Sequence, residues 1–161
     1  MSKKTIVFSS VITAALLGQI TLTVLLYNKD GLSFLRNIGW SIMWISAVFG
    51  WLPIFTLKRW GGVQKGKSYT RTTQLVDRGI YSIVRHPQYL AGMLINIALP
   101  LIAQHWIVAV PGIIAILVNY LDTFEEEKAA LEKFGPSYSR YMESVPRIDF
   151  VSGIIRRWRK K

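Results

Sequence analysis

The chain has no cysteine at all. Disulfides, thiolate metal sites and a cysteine nucleophile are therefore excluded. Histidine is almost as scarce: His86 and His105 are the whole supply, which argues against a histidine-cluster metal site, and no metal is expected. Acids are few, nine against twenty Lys and Arg, for a net charge of +11. Such a balance raises nucleic acid as a partner. No basic run is interleaved with stacking aromatics as single-strand binding needs, so no nucleic-acid partner is expected. There is no internal repeat, no low-complexity segment and no convincing strand pattern. The one match to a phosphate-binding loop, Gly61-Gly62-Val63-Gln64-Lys65-Gly66-Lys67-Ser68, lacks the strand before it and the periodic helix after it that make such a loop work.

What the chain has in quantity is uncharged apolar sequence. Half of its 161 residues are hydrophobic (51%), and they fall in long runs. Thr5 to Tyr27 and Asn37 to Leu57 contain no charge, and each is long enough for one helical crossing of about 20 residues. The first run follows Met1-Ser2-Lys3-Lys4 like a signal peptide. It outlasts the usual h-region of roughly 7–15 residues and shows no small-residue cleavage site, so it reads as a retained span. Gln88 to Leu121 also lacks Asp, Glu, Lys and Arg. As one helix this region would be about 50 Å long, against a hydrocarbon core of about 30 Å. Two short spans joined by a turn at Gln104-His105-Trp106 fit better.

The expectation is an all-α membrane bundle of about four spans, near residues 5–27, 37–57, 88–104 and 106–123. Spans 3 and 4 form a hairpin, the whole chain is one domain, and no Rossmann domain is present. Lys58, Arg59, Lys65, Lys67, Arg71, Arg78 and Arg85 follow the second span, and Arg156-Arg157-Trp158-Arg159-Lys160-Lys161 ends the chain. The positive-inside rule then puts both termini in the cytoplasm, with the basic excess drawn to anionic lipid. Ile154, Ile155 and Trp158 among arginines suggest a tail lying on the membrane surface. The bilayer is the expected partner.

Two polar constellations stand out. In Gly79 to Gly92, GIYSIVRHPQYLAG, Pro87 suits the first turn of a helix, where its missing N–H costs nothing. Arg85 and His86 then sit at the positive end of that helix, where free N–H groups favour an anion and a guanidinium fits a carboxylate. The bland alternative is a headgroup anchor and a cap. After the fourth span, Glu125-Glu126-Glu127 sit on the exit turn of a helix that should continue to the stop at Gly135-Pro136. A hairpin would bring these carboxylates level with Arg85-His86, as a seat for positive charge; a solvated acidic turn is the commoner outcome. An anion seat beside a cation seat suits a zwitterion with extra positive charge, and S-adenosylmethionine has one carboxylate, one ammonium and one sulfonium.

The pattern Gly79-x-Tyr81-x-x-Val84-Arg85-His86-Pro87-x-Tyr89-x-x-Gly92, followed by Glu126-Glu127, Phe134-Gly135, Tyr138, Tyr141 and Val145-Pro146-Arg147, resembles the isoprenylcysteine carboxyl methyltransferase family. Phospholipid N-methyltransferases share a related pattern. The resemblance covers about residues 75–147 and implies an integral membrane enzyme that transfers a methyl group from S-adenosylmethionine to a lipidic or isoprenoid acceptor, leaving S-adenosylhomocysteine. It implies that Tyr81, Arg85, His86, Pro87, Tyr89, Leu90 and Gly92 line the cofactor pocket, and that Glu126 and Glu127 complete it. Tyr138 and Tyr141 would belong to a closing C-terminal segment, Arg85, His86 and Glu127 would serve catalysis, and Arg147 would meet the substrate. An NADPH-dependent membrane reductase of related fold and a non-catalytic lipid-binding protein are the alternatives.

Overall fold

A computed structural model describes residues 3–159. Among them there are six α-helices and no strand: α1 Lys3–Leu25, α2 Ser33–Trp60, α3 Pro87–Ala103, α4 Trp106–Phe134, α5 Pro136–Ser144 and α6 Phe150–Arg159. A single 3₁₀ turn, Gly79–Ser82, precedes α3. The fold class is the expected one, an all-helical membrane bundle. Helices α1, α2 and α4 are long and apolar enough to cross a membrane, and α3, with 17 residues, is a shorter apolar helix. Proline lies inside α2, α3 and α4, at Pro53, Pro100 and Pro111, which membrane helices tolerate because neighbouring groups re-satisfy the freed carbonyl.

The chain forms two compact units, residues 3–47 with 91–125, and residues 48–90 with 126–159. In the first, Leu99, Ala103 and Val108 form a buried cluster with Leu16, Leu22, Leu26, Met43 and Ile95 around it. The turn between α3 and α4 falls at Gln104, where φ is +52°. The Gln104 side chain acts there like a strip of backbone: Leu32 N–H donates to its Oε1 (2.7 Å) and its Nε2 donates to Leu32 O (2.8 Å). Asn28 N–H donates to Ala103 O (3.0 Å) beside it. The two inter-helix turns of this unit therefore clasp each other. Gly112 carries no side chain because a Cβ would stand 2.4 Å from Gln19 Nε2 and 2.9 Å from Asn96 O, the close approach that small residues permit in membrane bundles.

The second unit holds most of the charged residues and takes in the last turns of α4. Helix α4 has 29 residues, about 44 Å at 1.5 Å per residue, so it outruns an apolar core of about 30 Å and carries Glu126 and Glu127 as polar sequence. It ends at Gly135, whose φ of +54° and the following Pro136 at the start of α5 explain the stop. Tyr138, Tyr141 and Val145 form the buried core here, with Leu75, Ala130, Phe134 and Met142 against it. Gly61–Ser68 follows a helix, not a strand, and no helix follows it before the 3₁₀ turn at Gly79. It is a loop without phosphate-binding architecture.

Candidate active site

Pro87 opens α3, and the preceding Arg85 and His86 lie outside any helix, as the disfavoured helical conformation of a residue before proline leads one to expect at His86. Their backbone is held from across the unit. Arg85 N–H donates to Pro146 O (3.0 Å) and His86 N–H to Arg147 O (3.1 Å). This two-rung clamp fixes where both side chains emerge and brings Arg147 to the same spot.

Glu127 lies at the centre of what they build. Its Oε1 accepts from Arg147 Nε (3.1 Å), pairs ionically with Arg85 Nη2 (3.0 Å) and lies 3.1 Å from His86 Nε2. Its Oε2 accepts from Arg147 Nη2 (2.5 Å). The Glu127 side chain is 4% exposed, Arg85 8% and Arg147 20%, so these charges are compensated by one another rather than by water. The second ring nitrogen, His86 Nδ1, faces Glu126 Oε2 at 3.2 Å. A neutral imidazole has one N–H and could satisfy one of these two carboxylates; the imidazolium satisfies both. Burial by itself would lower the His86 pKa, but the hydrogen bonds to Glu126 and Glu127 outweigh it and raise the value above 6.5. Tyr89 meets the imidazole edge-on, ring centroids 5.6 Å apart.

Against this network opens a cleft of about 140 Å³. Tyr81, Arg85, His86, Gln88 and Glu126 line its polar side, and Leu57, Leu75, Val76, Ala130 and Phe134 its apolar side. Tyr138 and Tyr141, also lining residues, come from α5, and Tyr141 donates its hydroxyl to Tyr81 O (2.6 Å). Burial raises the pKa of all three of Tyr81, Tyr138 and Tyr141, so they remain protonated phenols.

The residues named from sequence are thus sorted by the fold. Tyr81, Arg85, His86, Glu126, Tyr138 and Tyr141 face the cleft. Glu127 and Arg147 stand behind it as the ionic support of Arg85 and His86. Pro87 and Leu90 are buried at the start of α3. Gly92 belongs to the first unit, where a Cβ would lie 3.3 Å from Asn119 Nδ2. The two polar clusters, expected level with one another, are in direct contact. Sequence reasoning missed Thr70, Thr72, Gln74 and Gln88 in the lining. The loop residues carry no periodic signal; they are placed by Lys133 Nζ donating to Thr72 O (2.5 Å) and by Gln88 Nε2 donating to Tyr69 Oη (3.0 Å).

An all-helical chain with membrane-length helices, and a cleft built from an arginine, a histidine, a glutamate and tyrosines, defines a membrane protein with an ionic site. Among the described residues no strand is present on which a Rossmann fold could be built. The comparison with protein families makes the class specific: the chain belongs to the phospholipid methyltransferase family, whose model matches residues 35–137. By that membership it is a membrane methyltransferase. No curated protein matches the chain significantly.

Proposed function

We infer that the chain transfers a methyl group from S-adenosylmethionine to a lipidic acceptor at the cytoplasmic membrane surface, with both termini on that side and residues 1–161 acting as one catalytic domain. The cleft carries this reading. Its polar side matches a ligand bearing both signs of charge: Glu126, with a side chain 54% exposed, suits the cationic end, and Arg85 suits the carboxylate. Arg85 Nε is buried and has no hydrogen-bond partner among the described residues, so the guanidinium keeps a donor beyond its ion pair with Glu127. The side lined by Leu57, Leu75, Val76, Ala130 and Phe134 suits an apolar or aromatic group such as an adenine ring.

When bound, S-adenosylmethionine supplies an electrophilic methyl on a sulfonium, which leaves with the sulfur regaining its electron pair. The protein's part is positioning and exclusion of water. Glu127 and Arg147 hold Arg85 and His86 rigid, and the tyrosines of α5 close one wall. His86, facing two carboxylates, is an imidazolium donor rather than a free base. An amine acceptor must lose a proton, and Glu126, bonded to His86 Nδ1 and open to solvent, is the group that passes it out. A carboxylate acceptor needs no such step. Arg147, expected at the substrate, acts here through Glu127.

Calorimetric titration of S-adenosylhomocysteine into the full chain in lipid nanodiscs tests the reading. Losing one charged hydrogen bond costs about 1.5–3 kcal/mol, so Arg85→Ala and Glu126→Gln should each weaken binding by roughly ten- to a hundredfold. Wild-type protein that takes up no ligand would refute it, as would two variants that bind as the wild type does. The same titration separates this reading from a lipid-binding protein without a cofactor.

A further inference from the structure

Helix α6, Phe150–Arg159, has two working faces. Val151, Ile154, Ile155 and Trp158 recur at i, i+3, i+4 and i+7 and form one stripe, with exposures from 37% at Ile154 to 78% at Trp158. The opposite face is bound to the segment that leads into the site. Gly153 sits on the Ile83 carbonyl so closely that a Cβ would lie 2.0 Å from its oxygen. Arg157 donates to Gly79 O (3.3 Å) and to the Ser82 hydroxyl. Ile83 is two residues before Arg85, and the gripped turn contains Tyr81. Asp149 caps the helix by accepting from Ser152 N–H (3.0 Å).

Three features say what covers the apolar stripe. Ten residues span about 15 Å, half of what a crossing needs, so the helix lies along a surface. Its last turn carries Arg156, Arg157 and Arg159, and a cleft of about 210 Å³ beside it is lined by Arg156, Arg157, Ser82 and Ser144, with one acid, Asp77. A short helix with an apolar stripe flanked by guanidiniums is complementary to anionic headgroups over acyl chains.

We propose that α6 is a lever worked by the bilayer: its Val151–Ile154–Ile155–Trp158 stripe enters an anionic phospholipid surface, and docking there holds the Gly79–His86 segment that presents Tyr81, Arg85 and His86. The consequence for methyl transfer rests on the function inferred above; the docking and the coupling do not. Each guanidinium near an anionic surface favours docking by about fivefold, so the hold tightens with anionic lipid and loosens with salt.

Because the chain has no cysteine, Ile155→Cys and Ser152→Cys each create a single site for a nitroxide label. The full chain is placed in nanodiscs of phosphatidylcholine alone or mixed with phosphatidylglycerol. The label at 155 should sit among acyl chains in the mixed discs and the label at 152 in water. Amide exchange of residues 79–86, read by mass spectrometry, should slow by about fivefold or more in the mixed discs, the gain expected from one arginine. Ile155→Glu should abolish that slowing while exchange in α1 to α4 stays unchanged. A label at 155 that remains in water, or exchange of 79–86 that is equal in the two discs, overturns the proposal. Failure of S-adenosylhomocysteine to bind in either disc would strike the methyl-transfer reading and leave these two readouts as they are.

Discussion

The two compact units bury polar groups in different ways. In the first they are mostly neutral: Gln19, Ser46, Asn96, Asn119 and Thr123 are all nearly or fully buried, with Asp122 as the one acid among them. Gln19 Nε2 donates to Asn96 O (3.0 Å) and Val108 O (3.1 Å), and Ser46 Oγ donates to Ala91 O (2.8 Å). In the second unit, Thr56 apart, the buried polar groups are ionisable and face one another, around Glu127. Amides can bond backbone carbonyls of neighbouring helices without carrying a charge into apolar surroundings, so they secure helix packing at small cost. Carboxylates and guanidiniums can be buried only as a compensated set. A chain with nine acids that places one of them beneath two arginines and a histidine has built a site there, whereas the first unit is built to hold helices together.

The sharpest way to break this contrast is Glu127→Ala. It leaves the guanidiniums of Arg85 and Arg147 without their shared anion and His86 with Glu126 alone, and should destabilise the protein by about 3–5 kcal/mol, seen as a large drop in the thermal unfolding temperature in detergent. Arg147→Ala should cost about 1.5–3 kcal/mol, because Arg85 and His86 still neutralise Glu127. Its unfolding temperature should fall between those of wild type and Glu127→Ala. Gln19→Leu, the parallel change in the first unit, should cost only about 0.6–1.7 kcal/mol, the scale of hydrogen bonds between membrane helices. If it matches Glu127→Ala, the two units do not differ as described.

Acidity sharpens the comparison further. The His86 pKa is raised above 6.5 in the folded protein. Its contribution to stability is therefore complete below about pH 6.5 and is lost as pH rises through the folded-state value. The unfolding-temperature gap between wild type and His86→Gln should shrink over that rise, while the gap for Gln19→Leu stays constant. The smallest effect belongs to Lys67→Ala, an exposed loop change expected within about 0.5 kcal/mol. ATP binding lost in that variant would restore the phosphate-loop reading.

The helices were legible in the sequence because an apolar run without charge needs no partner to reveal its length, and because Gly135-Pro136 and the Gln104 turn mark chain ends of helices locally. The hairpin of α3 and α4 was legible for the same reason. The contents of the site were legible as residue types, through Arg85, His86, Glu126 and Glu127. Their division of labour was not. Glu126 and Glu127 are neighbours with the same chemistry, yet one is 54% exposed at the cleft and the other 4% exposed beneath it, since adjacent residues on a helix point about 100° apart.

What the sequence determined by itself is the class of molecule: helical, membrane-embedded, cysteine-free, with one ionic region among long neutral spans. Length, hydropathy and the placing of proline and glycine act over a few neighbouring residues, and they leave no room for another architecture. What only the tertiary structure decided is the pairing. Arg147 follows Glu127 by 20 positions and His86 precedes it by 41. Nothing periodic connects them, and they meet because the backbone clamp between Arg85-His86 and Pro146-Arg147 carries the C-terminal segment back over the start of α3. A buried charge has to find its opposite somewhere in the fold, but which one it finds depends on where the chain returns, and that is a property of packing, not of local sequence.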